Sequence, residues 1–186
     1  MNRTSESGLS FSLMVFTLKI TSLFGLRKRD LREFGVSRGK AVMDYGCGPG
    51  MYVEQASELV GEKGKVFAVD IHPLATKSVE TLIEERRLKN VSPVLADVSS
   101  CPLPDACVDL IYAMDMFHNV ENHMSFLKEL RRLLSTEGRL ILEDGHQKRE
   151  ETLRKIIESK VWRIVKEEKV YIECSPLIQK YSSISK

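Results

Sequence analysis

Five aspartates, Asp44, Asp70, Asp97, Asp115 and Asp144, each close a short apolar run, and the first leads through Tyr45 into Gly46-Cys47-Gly48-Pro49-Gly50. Carboxylates gathered on one edge repel one another, so the arrangement calls for a ligand that brings cations or hydrogen-bond donors. Glycine at alternate positions lets the backbone turn sharply and approach a bound molecule closely, since no Cβ intervenes. Strand, glycine turn and helix N-terminus together make the first ligand-holding corner of an open α/β sheet. His118 lies just past the fourth of these acids, and an unperturbed histidine titrates near neutrality. It could accept a proton from an O, N or acidified C–H; packing or hydrogen bonding at a strand–helix junction is the other reading. His146 is a weaker candidate of the same kind, and His72 suits a helix start.

The elements that must hold these residues alternate. Ala41-Val42-Met43 reads as a buried strand, and Met51 to Val60 repeats apolar residues at helical spacing. Gly61 and Gly64 break the chain before a strand over Lys65–Asp70, and Pro73 opens a helix with Ala75, Val79, Leu82 and Ile83 as its buried stripe. A third strand is predicted around Val94–Asp97, a fourth over Val108–Met114 and a fifth over Arg139–Asp144. Phe126, Leu127, Leu130, Leu133 and Leu134 mark the helix before the fifth, with Gly138 past its end. Such alternation argues a parallel sheet covered on both faces, with every aspartate on its carboxyl edge. The last section departs from this pattern. After a helix from about Glu150 to Ser159, Val161–Val165 and Val170–Cys174 are joined by only a few charged residues, so they must be antiparallel neighbours.

Which ligand fits follows from the spacing of the glycines. The dinucleotide fingerprint G-x-G-x-x-G would need glycine where Met51 stands, and the phosphate loop G-x-x-x-x-G-K-[ST] is absent. What remains, Asp44-x-Gly46-x-Gly48-x-Gly50, resembles motif I of the class I S-adenosylmethionine-dependent methyltransferases, in particular their small, ubiquinone/menaquinone-methyltransferase-like branch. With the terminal hairpin included, the resemblance covers roughly residues 38 to 176. It implies an α/β, Rossmann-like, doubly wound seven-stranded mixed sheet with the last strand antiparallel. It also implies S-adenosylmethionine as methyl donor, with S-adenosylhomocysteine as product. By the resemblance, Asp44 orients the glycine loop and the cofactor's amino group, and Gly46, Cys47, Gly48 and Gly50 face the methionine portion. Asp70 takes the ribose hydroxyls with Ile71 beside the adenine, Asp97 accepts from the adenine amine, and Val98 sits against the ring. Met114, at the end of the fourth strand, faces the transferred methyl. Asp70 alone would equally suit a nicotinamide site; the third acid tilts the choice toward the methyl donor. Asp144 is expected to cap the following helix, and Asp115 is open between a cap and a ligand contact.

Composition bounds the rest. The chain has 186 residues and a formal net charge of +2, too little to argue for a nucleic-acid partner. Four widely spaced cysteines, Cys47, Cys101, Cys107 and Cys174, show no zinc or redox spacing, which suggests a reduced, cytoplasmic setting. Residues 1–36 read as an N-terminal helical segment, 37–178 as one methyltransferase domain and 179–186 as a tail. Polar residues interrupt the apolar stretch Leu9–Phe24 too often for a membrane span. It reads instead as a helix packed on the sheet, as a lid over the cofactor, or as a peripheral membrane contact. Ala113-Met114-Asp115-Met116-Phe117-His118-Asn119 lacks the N-P-P-Y pattern of resembled enzymes that act on exocyclic nitrogens, and a small-molecule acceptor is favoured. A protein or RNA acceptor, or a partner subunit that binds S-adenosylmethionine without transferring it, are the alternatives. The transfer itself requires no metal; a metal-assisted, catechol-type site could recruit Asp115 and Asp144, but nothing in the spacing demands it.

Overall fold

The computed structural model describes residues 29–177; the expected helix over residues 9–24 and the tail lie outside them. In chain order the elements are β1 (Ala41–Tyr45), α1 (Val53–Val60), β2 (Lys65–Asp70), α2 (Pro73–Arg86), β3 (Val91–Leu95) and β4 (Val108–Ala113). A one-turn 3-10 helix (Phe117–Asn119) then leads to α3 (His123–Leu133), β5 (Leu134–Glu143), α4 (Arg149–Ser159), β6 (Trp162–Glu167) and β7 (Tyr171–Pro176). The seven strands lie in the order β3-β2-β1-β4-β5-β7-β6. β1 to β5 pair in parallel, and β7 runs antiparallel to both β5 and β6. The strand order reverses between β1 and β4, the place where open α/β sheets leave a crevice at their carboxyl ends.

The sheet is covered on both faces, so β1 buries four consecutive residues, Val42 to Tyr45, instead of alternating. Met43, Ile111 and Leu140 pack on one side with Phe126, Leu127 and Leu130 of α3, Ile156 of α4 and Trp162. Val42, Leu110 and Tyr112 pack on the other with Val53 and Ala56 of α1 and Val79 of α2. Leu31, Phe34 and Val36, assigned from sequence to the N-terminal segment, belong to this second core, and the Phe34 ring meets Tyr171 edge-on at 5.1 Å. Side-chain caps start α2 and α3, but not α1 or α4. The Leu74 N–H donates to His72 Nδ1 at 3.1 Å with Pro73 next to it, and the Ser125 N–H donates to Asn122 Oδ1. Among the described residues, no helix is long and apolar enough to cross a membrane.

Three elements differ from the expectation. β3 runs over Val91–Leu95, earlier than the predicted Val94–Asp97, and contains Pro93. A proline is tolerated there because β3 is an edge strand, where a missing N–H need leave no partner unpaired. Asp97 therefore lies beyond the strand, in a bridge to Ser100. β5 begins at Leu134 directly after α3, so Gly138 sits inside a strand and does not end a helix. Asp144 caps nothing: the N-cap of α4 is Lys148, and Asp144 accepts from Nε and Nη2 of Arg149 at 2.6–3.0 Å.

Leu130 is fully buried between α3 and the sheet. Leu130→Ala is expected to lower stability by about 2–5 kcal/mol through lost burial and a residual cavity. Urea denaturation measures this; a loss below about 1 kcal/mol would contradict the packing described.

Candidate functional site

The carboxyl edge is organised by a turn hung on the end of β2. Gly46 and Cys47 both donate their N–H to the Val69 carbonyl, at 2.8 and 3.0 Å. Gly48 donates to Asp70 Oδ2 and His72 donates its backbone N–H to Asp70 Oδ1, each at 2.9 Å. Gly46 has φ +82°, and a Cβ placed there would fall 2.8 Å from Met116 Cγ, so the turn and the segment after β4 touch only because no side chain intervenes. Gly50 is buried against Val79 and Leu82 of α2. Beneath the turn, Asp44 is 2% exposed, and its Oδ2 has no hydrogen-bond partner among the described residues. Burial, reinforced by the negative charge of Asp70, pushes the Asp44 pKa up to about 8. The loop is thus held by Asp70 and Val69, whereas the sequence reading gave that task to Asp44.

Beside the turn lies a crevice of about 410 Å³, lined by Ile71, Leu95, Ala96, Asp97, Ser100 and Pro102. Ile71 and Leu95 are 57% and 51% exposed and give the crevice an apolar surface next to Asp97. Tyr45 donates its hydroxyl to the Asp97 carbonyl at 2.9 Å, tying the end of β1 to this crevice. Its far wall is held from α3. Glu129, largely buried, accepts the Cys101 N–H at 2.8 Å, and Arg132 donates to the carbonyls of Cys101 and Leu103 at 2.9 and 2.8 Å. Arg132 also binds both oxygens of Glu129 and one of Asp105, and its hydrogen bonds hold the Glu129 carboxyl below its ordinary range. Sequence reasoning missed this pair. A Glu-x-x-Arg spacing on a helix ordinarily marks a solvated face, and nothing in the sequence tells which such pair turns inward.

On the other side of the turn, Asp115, His118 and His146 come together from the ends of β4 and β5. The His146 Nε2 lies 3.7 Å from Asp115 Oδ1, and the two imidazoles meet edge-on with centroids 4.8 Å apart. Asp115 has φ +49°, a left-handed conformation uncommon for a residue with a side chain. Burial lowers the His118 pKa, with Asp115 pulling the other way. Neutral imidazole, the form with a free lone pair, is therefore favoured. Glu143 is also raised by burial, and Arg29 stands 3.5 Å from it.

Of the cofactor residues expected from sequence, Asp44, Gly46, Cys47, Gly48 and Asp70 meet at the turn, and Ile71 and Asp97 share the crevice. Met114 is buried in the core with Cys47 and Tyr112, and Val98 is half-buried against the opposite core.

The chain belongs to a family described as a methyltransferase domain, whose pattern matches residues 36–181. Among curated proteins it is 27% identical over 115 residues to a demethylmenaquinone methyltransferase of Geobacillus sp. (strain WCH70), covering 62% of this chain and 49% of that one. It is 32% identical over 123 residues to the ubiquinone/menaquinone biosynthesis C-methyltransferase UbiE of Shewanella sp. (strain ANA-3), covering 66% of this chain and 49% of that one. The chain therefore spans about half the length of the curated relatives it matches. A SAM-dependent methyltransferase from Aquifex aeolicus superposes with TM-score 0.67 at 28% identity, covering 78% of this chain and 86% of that one. A TehB-like SAM-dependent methyltransferase from Corynebacterium glutamicum shares the fold, with TM-score 0.75 at 13% identity over 92% of this chain and all of that one.

A carboxyl whose folded pKa is raised from 3.8 to about 8 holds its proton in the folded state after the unfolded chain has released it. Its contribution to stability is complete below the unfolded pKa and declines as pH rises to about 8. Asp44→Asn is expected to flatten that decline in the ligand-free protein. Denaturant midpoints across about pH 5 to 8 measure it, and parallel profiles for the two proteins would mean that Asp44 is already ionised.

Proposed function

We propose that this protein transfers the methyl group of S-adenosylmethionine to a small-molecule acceptor and releases S-adenosylhomocysteine. The observation that carries the reading is the buried Asp44 carboxyl with an unpartnered oxygen beneath a glycine turn. A group so placed asks for a cationic donor, and the methionine ammonium is one. Binding would ionise Asp44 and pair it in the same event. Each Asp70 oxygen accepts one backbone N–H and keeps capacity for a ribose hydroxyl. Exposed Ile71 and Leu95 offer apolar contact to a purine, and Asp97 beside them can accept from its amine. A pyrophosphate would instead set negative charge beside Asp70 and would supply no cation to pair Asp44. Membership of the methyltransferase-domain family supports the same ligand. The quinone-biosynthesis names of the relatives support a small-molecule acceptor.

The reaction is an in-line displacement. An acceptor lone pair forms a bond to the methyl carbon as the carbon–sulfur pair withdraws onto sulfur, neutralising the sulfonium. The leaving thioether needs no acid, so the protein contributes chiefly by holding the partners in line, an effect that reaches effective molarities of about 10⁵ M or more. The acceptor side is the cluster of Asp115, His118 and His146. A neutral His118 there offers a lone pair for removing the acceptor's proton.

Calorimetric titration should find S-adenosylmethionine and S-adenosylhomocysteine bound in preference to NAD. Asp70→Ala should weaken S-adenosylmethionine by about 1–3 kcal/mol, the worth of a charge-assisted hydrogen bond. Undiminished affinity in that variant would contradict the ribose contact, and preference for NAD would overturn the reading. Incubating metabolite fractions with methyl-labelled cofactor then identifies the acceptor.

A further inference from the structure

One nitrogen from each of His118 and His146 and one carboxylate oxygen of Asp115 all lie within 4.8 Å of one another, although they come from two separate segments, those that follow β4 and β5. We propose that these three side chains bind a divalent first-row transition ion of the zinc type on the acceptor side of the glycine turn.

The distances suit it. Metal–ligand bonds of about 2.0–2.2 Å put the ligand atoms of one ion roughly 3–4 Å apart. The His146–Asp115 pair, at 3.7 Å, already meets that spacing. The separations to His118 lie within 4.8 Å and must shorten on binding, and His146, 69% exposed on its turn, has room to adjust with them. The backbone is shaped for the cluster. A Cβ on Gly145, which has φ +64°, would fall 2.1 Å from His118 Nδ1, so the imidazole can occupy its place only beside a glycine. That Nδ1 is buried and has no hydrogen-bond partner among the described residues, so no described group competes with a cation for it.

The surrounding charges are already matched. Asp144 is held by Arg149, and Glu143 faces Arg29. Lys155, the cation that would oppose a metal, donates to Gln147 Oε1 at 2.7 Å and lies over the Phe117 ring. Two imidazoles and one carboxylate suit zinc, iron, cobalt or nickel better than magnesium or calcium. Three protein ligands also leave a position open for water or an acceptor atom.

An acceptor X–H coordinated there would release its proton to solvent. The X lone pair would then form the bond to the methyl carbon while the carbon–sulfur pair goes to sulfur, with no change in the metal's oxidation state. This role rests on the methyl-transfer proposal; ion binding does not. It departs from the expectation that no metal takes part, and it makes His118 a ligand in place of a free base.

The test is titration of the full chain, freed of metal, with Co²⁺ followed by visible absorption. One equivalent should give saturable d–d bands without a thiolate charge-transfer band, and Zn²⁺ should abolish them. His146→Ala, at an exposed position, should weaken Co²⁺ at least about tenfold while circular dichroism and melting stay those of the parent. His118→Gln should do the same. No saturable uptake, a thiolate band pointing to Cys107, or equal affinity in His146→Ala would each overturn the site. If Co²⁺ binds as expected and S-adenosylmethionine does not, the methyl-transfer reading fails and the metal site stands.

Discussion

The site depends on the junction where the end of β2 receives the turn that follows β1. Two carboxylate oxygens and one carbonyl, those of Asp70 and Val69, take four backbone N–H groups from Gly46, Cys47, Gly48 and His72. Hydrogen bonds to a carboxylate are among the stronger kind, and these fix the glycine turn and the entrance to α2 with one residue. Everything that approaches the carboxyl edge is positioned relative to that junction. Asp44 is trapped beneath it, the crevice of Ile71 and Asp97 opens to one side, and Met116 with the histidine cluster closes on the other. A turn so anchored is rigid before any ligand arrives, the condition under which binding energy can go into orientation.

Energetic stress is concentrated in the same place. Asp44 is buried without a full set of partners, Tyr112 close to it keeps an unpaired hydroxyl among the described residues, and Asp115 holds a left-handed backbone. Away from this edge, one further buried side-chain atom among the described residues, Gln55 Oε1 on α1, lacks a partner. Glu129 and Arg132 bind each other and three backbone groups, so their burial stiffens the crevice wall and leaves no charge uncompensated. Three of the four buried side-chain atoms left without a partner among the described residues, those of Asp44, Tyr112 and His118, thus lie around one opening, as a ligand-binding edge requires.

Much of this was legible in the residues. The glycine spacing, the acid closing β2 and the apolar runs follow from backbone chemistry and periodicity, and they locate the turn, the crevice and the terminal hairpin. Pro93 lies within β3, and only the sheet order reveals that this strand is an edge, where a proline is tolerated. Asp144 has the identity of a helix cap, but Arg149 lies one turn on and claims both oxygens. His146 and His118 are separated by 28 positions in the chain, and parallel pairing of β4 with β5 brings them into edge-on contact. Pairings of this kind belong to tertiary register, which local pattern does not carry.

The outermost strands have a bearing on how the molecule behaves among its own copies. Pro93 interrupts the row of donors along β3, and Arg163, Lys166 and Glu167 place solvated charge along β6 at the opposite margin. Neither rim is a good template for a stranger's backbone, since one lacks a donor and the other would have to desolvate charge. Each margin of the described sheet thus discourages a strand of a second copy from extending it, while the carboxyl end of the strands is left open.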